Sequence, residues 1–142
     1  MVDEGRAARL LRGVSERIRR LDTASTRRSD NLDSLWLDGV KYLFITAIEG
    51  CVDVAHHIGS SESWQAPDTN AGAIRILGEH RVITAEVATS VARSVGFRNV
   101  LVHQYIEVDD AIVIDALGRL DDLRAFVSQV SAWILERSSE GS

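Results

Sequence analysis

The chain has 142 residues, 45% of them hydrophobic and 26% charged, enough for one sizeable core and too few for two comfortable domains. Its formal net charge of −5 argues against broad, nonspecific nucleic-acid binding. No run of about 18 apolar residues is present, so a membrane span is not expected, and neither is a signal peptide, because the basic N-terminus alternates Arg with Leu, Ile and Glu.

The charge is unevenly placed. Residues 1–28 hold eight arginines against four acids, a net +4, and the remainder holds eight basic and seventeen acidic residues, a net −9. A basic first segment of this kind either guides a polyanion to one place or forms a solvated helix face complementary to an acidic partner. Within it Val2, Leu10, Leu11, Val14, Ile18 and Leu21 recur mostly at spacings of three and four, which predicts an amphipathic helix over 3–22 with arginines outside. Residues 23–31 are polar and read as a loop or a frayed extension.

A second helix is expected to start near Asp33 or Ser34, either of which can cap free backbone N–H groups, and to run to about Ile58. Its wide apolar stripe, from Leu35 and Trp36 through Phe44, Ile48 and Cys51 to Ile58, fits a helix packed on more than one neighbour. Gly59-Ser60-Ser61 reads as the stop signal. Cys51 is the only cysteine and is expected to be a buried thiol in a cytoplasmic protein. After the Pro67 loop, Asp68 or Thr69 is placed to cap a short helix through about Leu77, ended by Gly78. Thr84 is placed to cap the next helix, roughly 85–104, in which Gly96 permits a bend or a close approach. Ile106-Glu107-Val108 reads as extended. Asp109 or Asp110 is expected to cap one last helix to about Arg137, with residues 138–142 a polar tail and residues 1–137 the domain. The expected fold is all-α: four substantial helices plus a short one, forming a bundle. Trp36 and Trp133 read as core or interface aromatics, and Trp64 as a cover over the end of the core.

Familiar catalytic and ligand-binding motifs are absent from the sequence. There is no phosphate loop, no Gly-x-Gly-x-x-Gly, no zinc spacing, no His-Glu-x-x-His and no serine elbow. His56 and His57 read as histidines at a helix end, tied to free carbonyls or solvated. Glu49 and Asp53 form an i,i+4 acidic pair, which either lines a cleft and positions a basic group or forms the wet face of its helix.

The segment from Phe97 to Tyr105 is different, because it sets Arg98, Asn99, His103, Gln104 and Tyr105 around Val100, Leu101 and Val102. An arginine fork matches phosphate oxygens, and an imidazole takes and returns protons near neutrality. Together they are a minimal kit for cutting RNA without a metal. The histidine deprotonates the 2′-hydroxyl or protonates the leaving oxygen, and the arginine offsets charge at phosphorus. Five residues apart on one helix, however, Arg98 and His103 point about 140° away from each other. A bend, fraying near His103, or a second copy of the helix across a two-fold axis is needed to aim both at one atom.

Over roughly residues 5–135 the chain resembles the HepT-like branch of the HEPN superfamily. Gly96-Phe97-Arg98-Asn99-Val100-Leu101-Val102-His103-Gln104-Tyr105 is similar to that family's Arg-x4-His-x-Tyr signature with Asn after the Arg. Ile48-Glu49-Gly50-Cys51-Val52-Asp53-Val54-Ala55-His56-His57-Ile58, the Pro67 loop and an Asp109-capped final helix support the likeness. The resemblance implies a homodimeric HEPN-type bundle of four to five helices acting as a metal-independent endoribonuclease toxin, with its site at the dimer cleft. It implies a cognate nucleotidyltransferase antitoxin as partner and RNA as substrate, with no cofactor bound and a cytoplasmic location. By the same likeness Arg98 has the phosphate role and His103 the acid–base role, with Asn99 orienting the site. Tyr105 matches the tyrosine that the antitoxin modifies with AMP, drawing on ATP as the antitoxin's own substrate. Two alternatives remain open from the sequence: a noncatalytic helical adaptor or regulatory partner of a nucleotidyltransferase, and a plain bundle whose polar strip stabilises a dimer.

Overall fold

The first helix, α1 (Glu4–Thr26), forms where the three-and-four spacing predicts it. It buries Ala7, Leu11, Val14, Ile18 and Leu21 on one side, while the Asp3 carboxylate accepts a hydrogen bond from the backbone N–H of Arg6 at 3.0 Å and caps it. In this computed structural model of the chain the described residues are 3–27 and 34–140. Val2, Arg28, the end of the polar stretch after it and the candidate cap Asp33 lie outside them. The helix continues past residue 22 to Thr26, as the frayed-extension reading allows.

The elements that follow are α2 (Ser34–Ser61), α3 (Asn70–Glu79), α4 (Ala85–His103), α5 (Asp110–Ala116), a 3₁₀ turn (Leu117–Arg119) and α6 (Asp121–Glu140). Three polar caps sit where the sequence puts them. Thr69 accepts from the N–H of Gly72 at 2.9 Å, Thr84 from that of Val87 at 3.2 Å, and Asp109 from that of Ala111 at 2.9 Å. The central helix is α2, which packs against α1, α3, α4 and α5; this is why its apolar stripe is wide. Cys51 is fully buried within it, and burial pushes its thiol up to about 12. No helix among the described residues is long and apolar enough to cross a membrane.

Four expectations are corrected. The described residues form six α-helices rather than four long ones and a short one, because the last helix is broken by the 3₁₀ turn around Gly118. The apolar spacing conceals the break: an i,i+3 step suits a 3₁₀ turn as well as an α-helix, and Ala116, Leu117, Leu120 and Leu123 stay buried through it. The turn lets α5 lie on α2 while α6 lies on α1 and α4. Secondly, Ile106-Glu107-Val108 is a turn and not extended. With no strand among the described residues to pair with, its amides return to the Gln104 carbonyl, which accepts from Glu107 at 3.0 Å and Val108 at 2.8 Å. Thirdly, α2 runs through Gly59 and ends at Ser61, and the chain reverses at Ser63, which takes a left-handed φ of 58°.

Fourthly, the close helix approach is not at Gly96, where an added Cβ would meet open space. It is at Gly50 and Gly78, where a Cβ would fall 2.6 Å from Val14 Cγ2 and from Ala88 Cβ respectively. Val14 is 1% exposed and branched at Cβ, so it has nowhere to turn. Gly50→Ala is therefore expected to lower stability by about 1–2 kcal/mol net, the overpacking cost exceeding the gain in helix propensity. Urea unfolding would show a lower midpoint at unchanged slope; a midpoint equal to or above that of the parent protein would mean that α1 moves outward freely.

The tryptophans behave as packing residues. Trp64 stacks on His80 (centroids 3.8 Å, planes at 6°) and meets Trp133 edge-on at 6.3 Å. His56 and His57 tie α2 to its neighbours rather than to its own last carbonyls. His56 Nε2 lies 3.1 Å from Asn70 Oδ1, and His57 Nε2 donates to the Asp3 carbonyl at 3.3 Å.

Candidate functional site

Arg98, near the C-terminal end of α4, and Tyr105, just beyond it, each meet a partner on α2. The α4 backbone stays helical through His103, with Gln104 as its C-cap. Leu101 is fully buried, which fixes the rotation of this last turn against the bundle. Arg98 then points toward α2 and is 22% exposed.

Glu49 meets it there. Arg98 Nη2 donates to Glu49 Oε1 at 2.6 Å and Nε to the same oxygen at 3.3 Å. Arg98 Nη1 donates to Asn99 Oδ1 at 3.0 Å. The guanidinium is thus held from two sides, by a charge-assisted pair and by an amide. Glu49 is 43% exposed, so the pair is open to solvent and contributes little to stability. Asp53, one turn further along α2, is exposed and makes no hydrogen bond or ion pair among the described residues. The acidic pair therefore divides: Glu49 reaches Arg98 and Asp53 does not.

His103 is exposed in the last turn of α4 and makes no hydrogen bond or ion pair among the described residues. On an unbroken helix its direction remains about 140° from that of Arg98, and Glu49 draws Arg98 to the α2 side. One copy of the chain does not bring the two groups to a single point.

Tyr105 forms a second cluster with residues of α2 that lie about two to three turns before Glu49. Its hydroxyl lies 3.2 Å from Asp38 Oδ1 and 3.3 Å from the Asp38 carbonyl, both acceptors for its proton. Lys41 is 6% exposed. Its ammonium donates to the Tyr105 carbonyl at 3.1 Å, pairs with Asp110 Oδ1 at 3.6 Å and sits 4.9 Å from the centre of the Tyr105 ring. Burial, and then the adjacent Asp38 carboxylate, raises the Tyr105 phenol above its usual value. Asp38 and Lys41 did not stand out in the sequence. The available signal was a lone lysine in an apolar run, Val40-Lys41-Tyr42-Leu43, with an acid three residues before it on the same helix face.

Large apolar side chains next in sequence to Lys41, His103 and Tyr105 are exposed. Tyr42 is 59% exposed, Val102 42% and Ile106 93%. Among the described residues no three His, Cys, Asp or Glu side chains group as metal ligands would.

Comparison with known proteins places this geometry in context. The family model described as ribonuclease HepT-like matches residues 11–130. The chain is 28% identical over 85 residues to the mRNA nuclease HepT of Shewanella oneidensis, covering 59% of this chain and 64% of that protein. It is 30% identical over 93 residues to the tRNA nuclease HepT of Aphanizomenon flos-aquae, covering 65% of this chain and 63% of that protein. The matches thus span somewhat less than two thirds of either relative. Among solved structures, a tri-AMPylated Shewanella oneidensis HEPN toxin in complex with an MNT antitoxin aligns at a TM-score of 0.81 and 23% identity, over 93% of this chain and 99% of that one. YutE, a cytosolic protein of unknown function from Bacillus subtilis, aligns at 0.83 and 14% identity, over 96% and 93%. At these identities the structural likeness is one of fold, an all-α HEPN-like bundle.

Proposed function

The chain belongs to the ribonuclease HepT-like family, and from that premise we propose that it is a cytoplasmic, homodimeric endoribonuclease toxin that cuts RNA without a metal. A nucleotidyltransferase antitoxin neutralises it. The observation that carries this reading is the pairing of a braced cation with a free imidazole. Arg98 is held by Glu49 and Asn99, and His103, at the end of the same helix, is exposed and has no partner among the described residues. A fixed guanidinium receives a phosphate without reorganising, and an unencumbered imidazole accepts a 2′-hydroxyl proton or supplies one to the leaving oxygen.

In this mechanism the 2′-oxygen attacks the adjacent phosphorus as His103 takes its proton. The 5′-oxygen of the next nucleotide leaves with a proton from water. The product is a cyclic phosphate. Arg98 neutralises the non-bridging oxygens, Glu49 and Asn99 are positioning residues, and Asp53 lies on the wet rim. One copy does not bring the two groups together, so the proposed dimer is one whose two-fold axis sets the His103 of one protomer opposite the Arg98 of its partner. The exposed Tyr42, Val102 and Ile106 beside the site support a covered face there. Purified protein is expected to cut single-stranded or transfer RNA in EDTA, leaving 2′,3′-cyclic phosphate ends. No cutting of either RNA in any buffer would remove the nuclease reading.

Tyr105 is the proposed point of control. Its hydroxyl oxygen attacks the α-phosphorus of ATP held by the antitoxin, pyrophosphate leaves and AMP stays on the ring. The phenol proton is lost to a base during attack, since the raised phenol keeps that proton at neutral pH. The added negative charge and bulk then stand where RNA enters. Incubation with the nucleotidyltransferase and ATP is expected to add AMP to the Tyr105 peptide, and to abolish RNA cutting in parallel. The Tyr105→Phe protein should acquire no AMP on that peptide and keep cutting. An unchanged peptide mass in the parent protein would defeat this assignment.

A further inference from the structure

Five arginines of α1 and its C-cap, Arg6, Arg9, Arg12, Arg20 and Arg27, are exposed and have no carboxylate within 4 Å among the described residues. Arginines elsewhere behave differently. Arg98, Arg119, Arg124 and Arg137 each pair with an acid, and the unpaired Arg75, Arg81 and Arg93 are scattered over α3, the turn after it and α4. At 100° per residue the five lie on an arc of about 120°, roughly opposite the buried Val14 and Ile18, and they run for about 30 Å along the helix. Two further arginines border the row: Arg19 pairs with Glu16 at 2.7 Å, and Arg17 donates to the Gly13 carbonyl at 3.1 Å.

From this row we propose that the outer face of α1 is the track that holds the RNA backbone while the strand is cut at Arg98. The inference rests on the nuclease reading above for its substrate, and on the fold for its place. Gly50, next to Glu49, is where α1 crosses α2, in contact with Val14. The row lies on the side of α1 away from this crossing, so a strand held on it passes around α1 to reach the Arg98–Glu49 pair on α2. Residues beyond 28 carry a net −9, so a strand is repelled from most of the molecule and steered to this face. An acidic protein is the rival occupant, but protein-docking faces carry apolar anchors at their centre. The exposed large hydrophobic residues among those described are Leu35, Tyr42, Val100, Val102, Ile106, Ile112 and Leu135, none of them on α1.

The test uses the full-length chain with Arg9→Gln, Arg12→Gln and Arg20→Gln combined, and a second variant with lysine at the same three positions. Binding of a labelled single-stranded oligonucleotide with 2′-deoxy sugars, which cannot be cut by this route, is followed by anisotropy across a salt series. The glutamine variant is expected to bind about tenfold or more weakly near 0.1 M salt. The slope of log affinity against log salt should be shallower by about 2, as three lost phosphate contacts on a single strand require. Its kcat at saturating RNA should equal that of the parent, and the lysine variant should bind nearly as the parent does. An unchanged slope in the glutamine variant overturns the track while leaving the nuclease reading intact. A parent protein that binds through these arginines yet never cuts RNA upholds the track and removes the nuclease reading. Loss of the nucleotidyltransferase complex with RNA binding unchanged makes the face a protein-docking one and overturns the proposal.

Discussion

His103→Ala is expected to lower RNA cleavage by about 10²–10⁴-fold, the span over which positioned acid–base groups act. Its unfolding free energy should stay within about 0.5 kcal/mol of the parent. The two halves of this expectation come from one fact: the ring is exposed and has no partner in the bundle, so its removal takes away chemistry and almost no packing. Equal cutting by parent and variant would take His103 out of the mechanism, and a large fall in stability would show that the ring is packed in the assembled protein.

Arg98→Ala is expected to cost about 10²–10³-fold, the usual loss when one preorganised donor to a developing oxyanion is removed. Arg98→Lys keeps the charge but loses the planar fork that grips both Glu49 and a phosphate, and should fall between the two. Stability should again change little, because Glu49 is 43% exposed and solvent screens an unpaired carboxylate there. If Arg98 matters only as the partner of Glu49, Arg98→Ala and Glu49→Gln will impair cleavage alike. If it contacts the phosphate, Arg98→Ala will be far the worse of the two.

Local features of the fold were legible because they have local causes. A threonine or aspartate that can reach a free backbone N–H two or three residues on marks a helix start, and Thr69, Thr84 and Asp109 do so. The amphipathic spacing of Leu11, Val14, Ile18 and Leu21 defines the buried side of α1. The break at Gly118 was not legible, since the same i,i+3 spacing serves both kinds of helix. Nor was the close approach at Gly50, which depends on which residue of a distant helix lies opposite. The candidate site divides in the same way. Arg98, Asn99, His103 and Tyr105 share one short segment and stood out together. That Glu49 reaches Arg98, or that Asp38 and Lys41 enclose Tyr105, depends on contacts across 49 to 67 positions of sequence, which no periodicity encodes.

A purified mixed dimer, with one protomer carrying Arg98→Ala and the other His103→Ala, tests the shared cleft most directly. If the cation and the imidazole that act on one phosphodiester come from opposite protomers, this dimer retains one intact site of two and cuts RNA at about half the parent rate, although each variant alone is nearly inert. If both groups act from within one chain, neither half of the mixed dimer is complete. A mixed dimer as inactive as its parents would contradict the account.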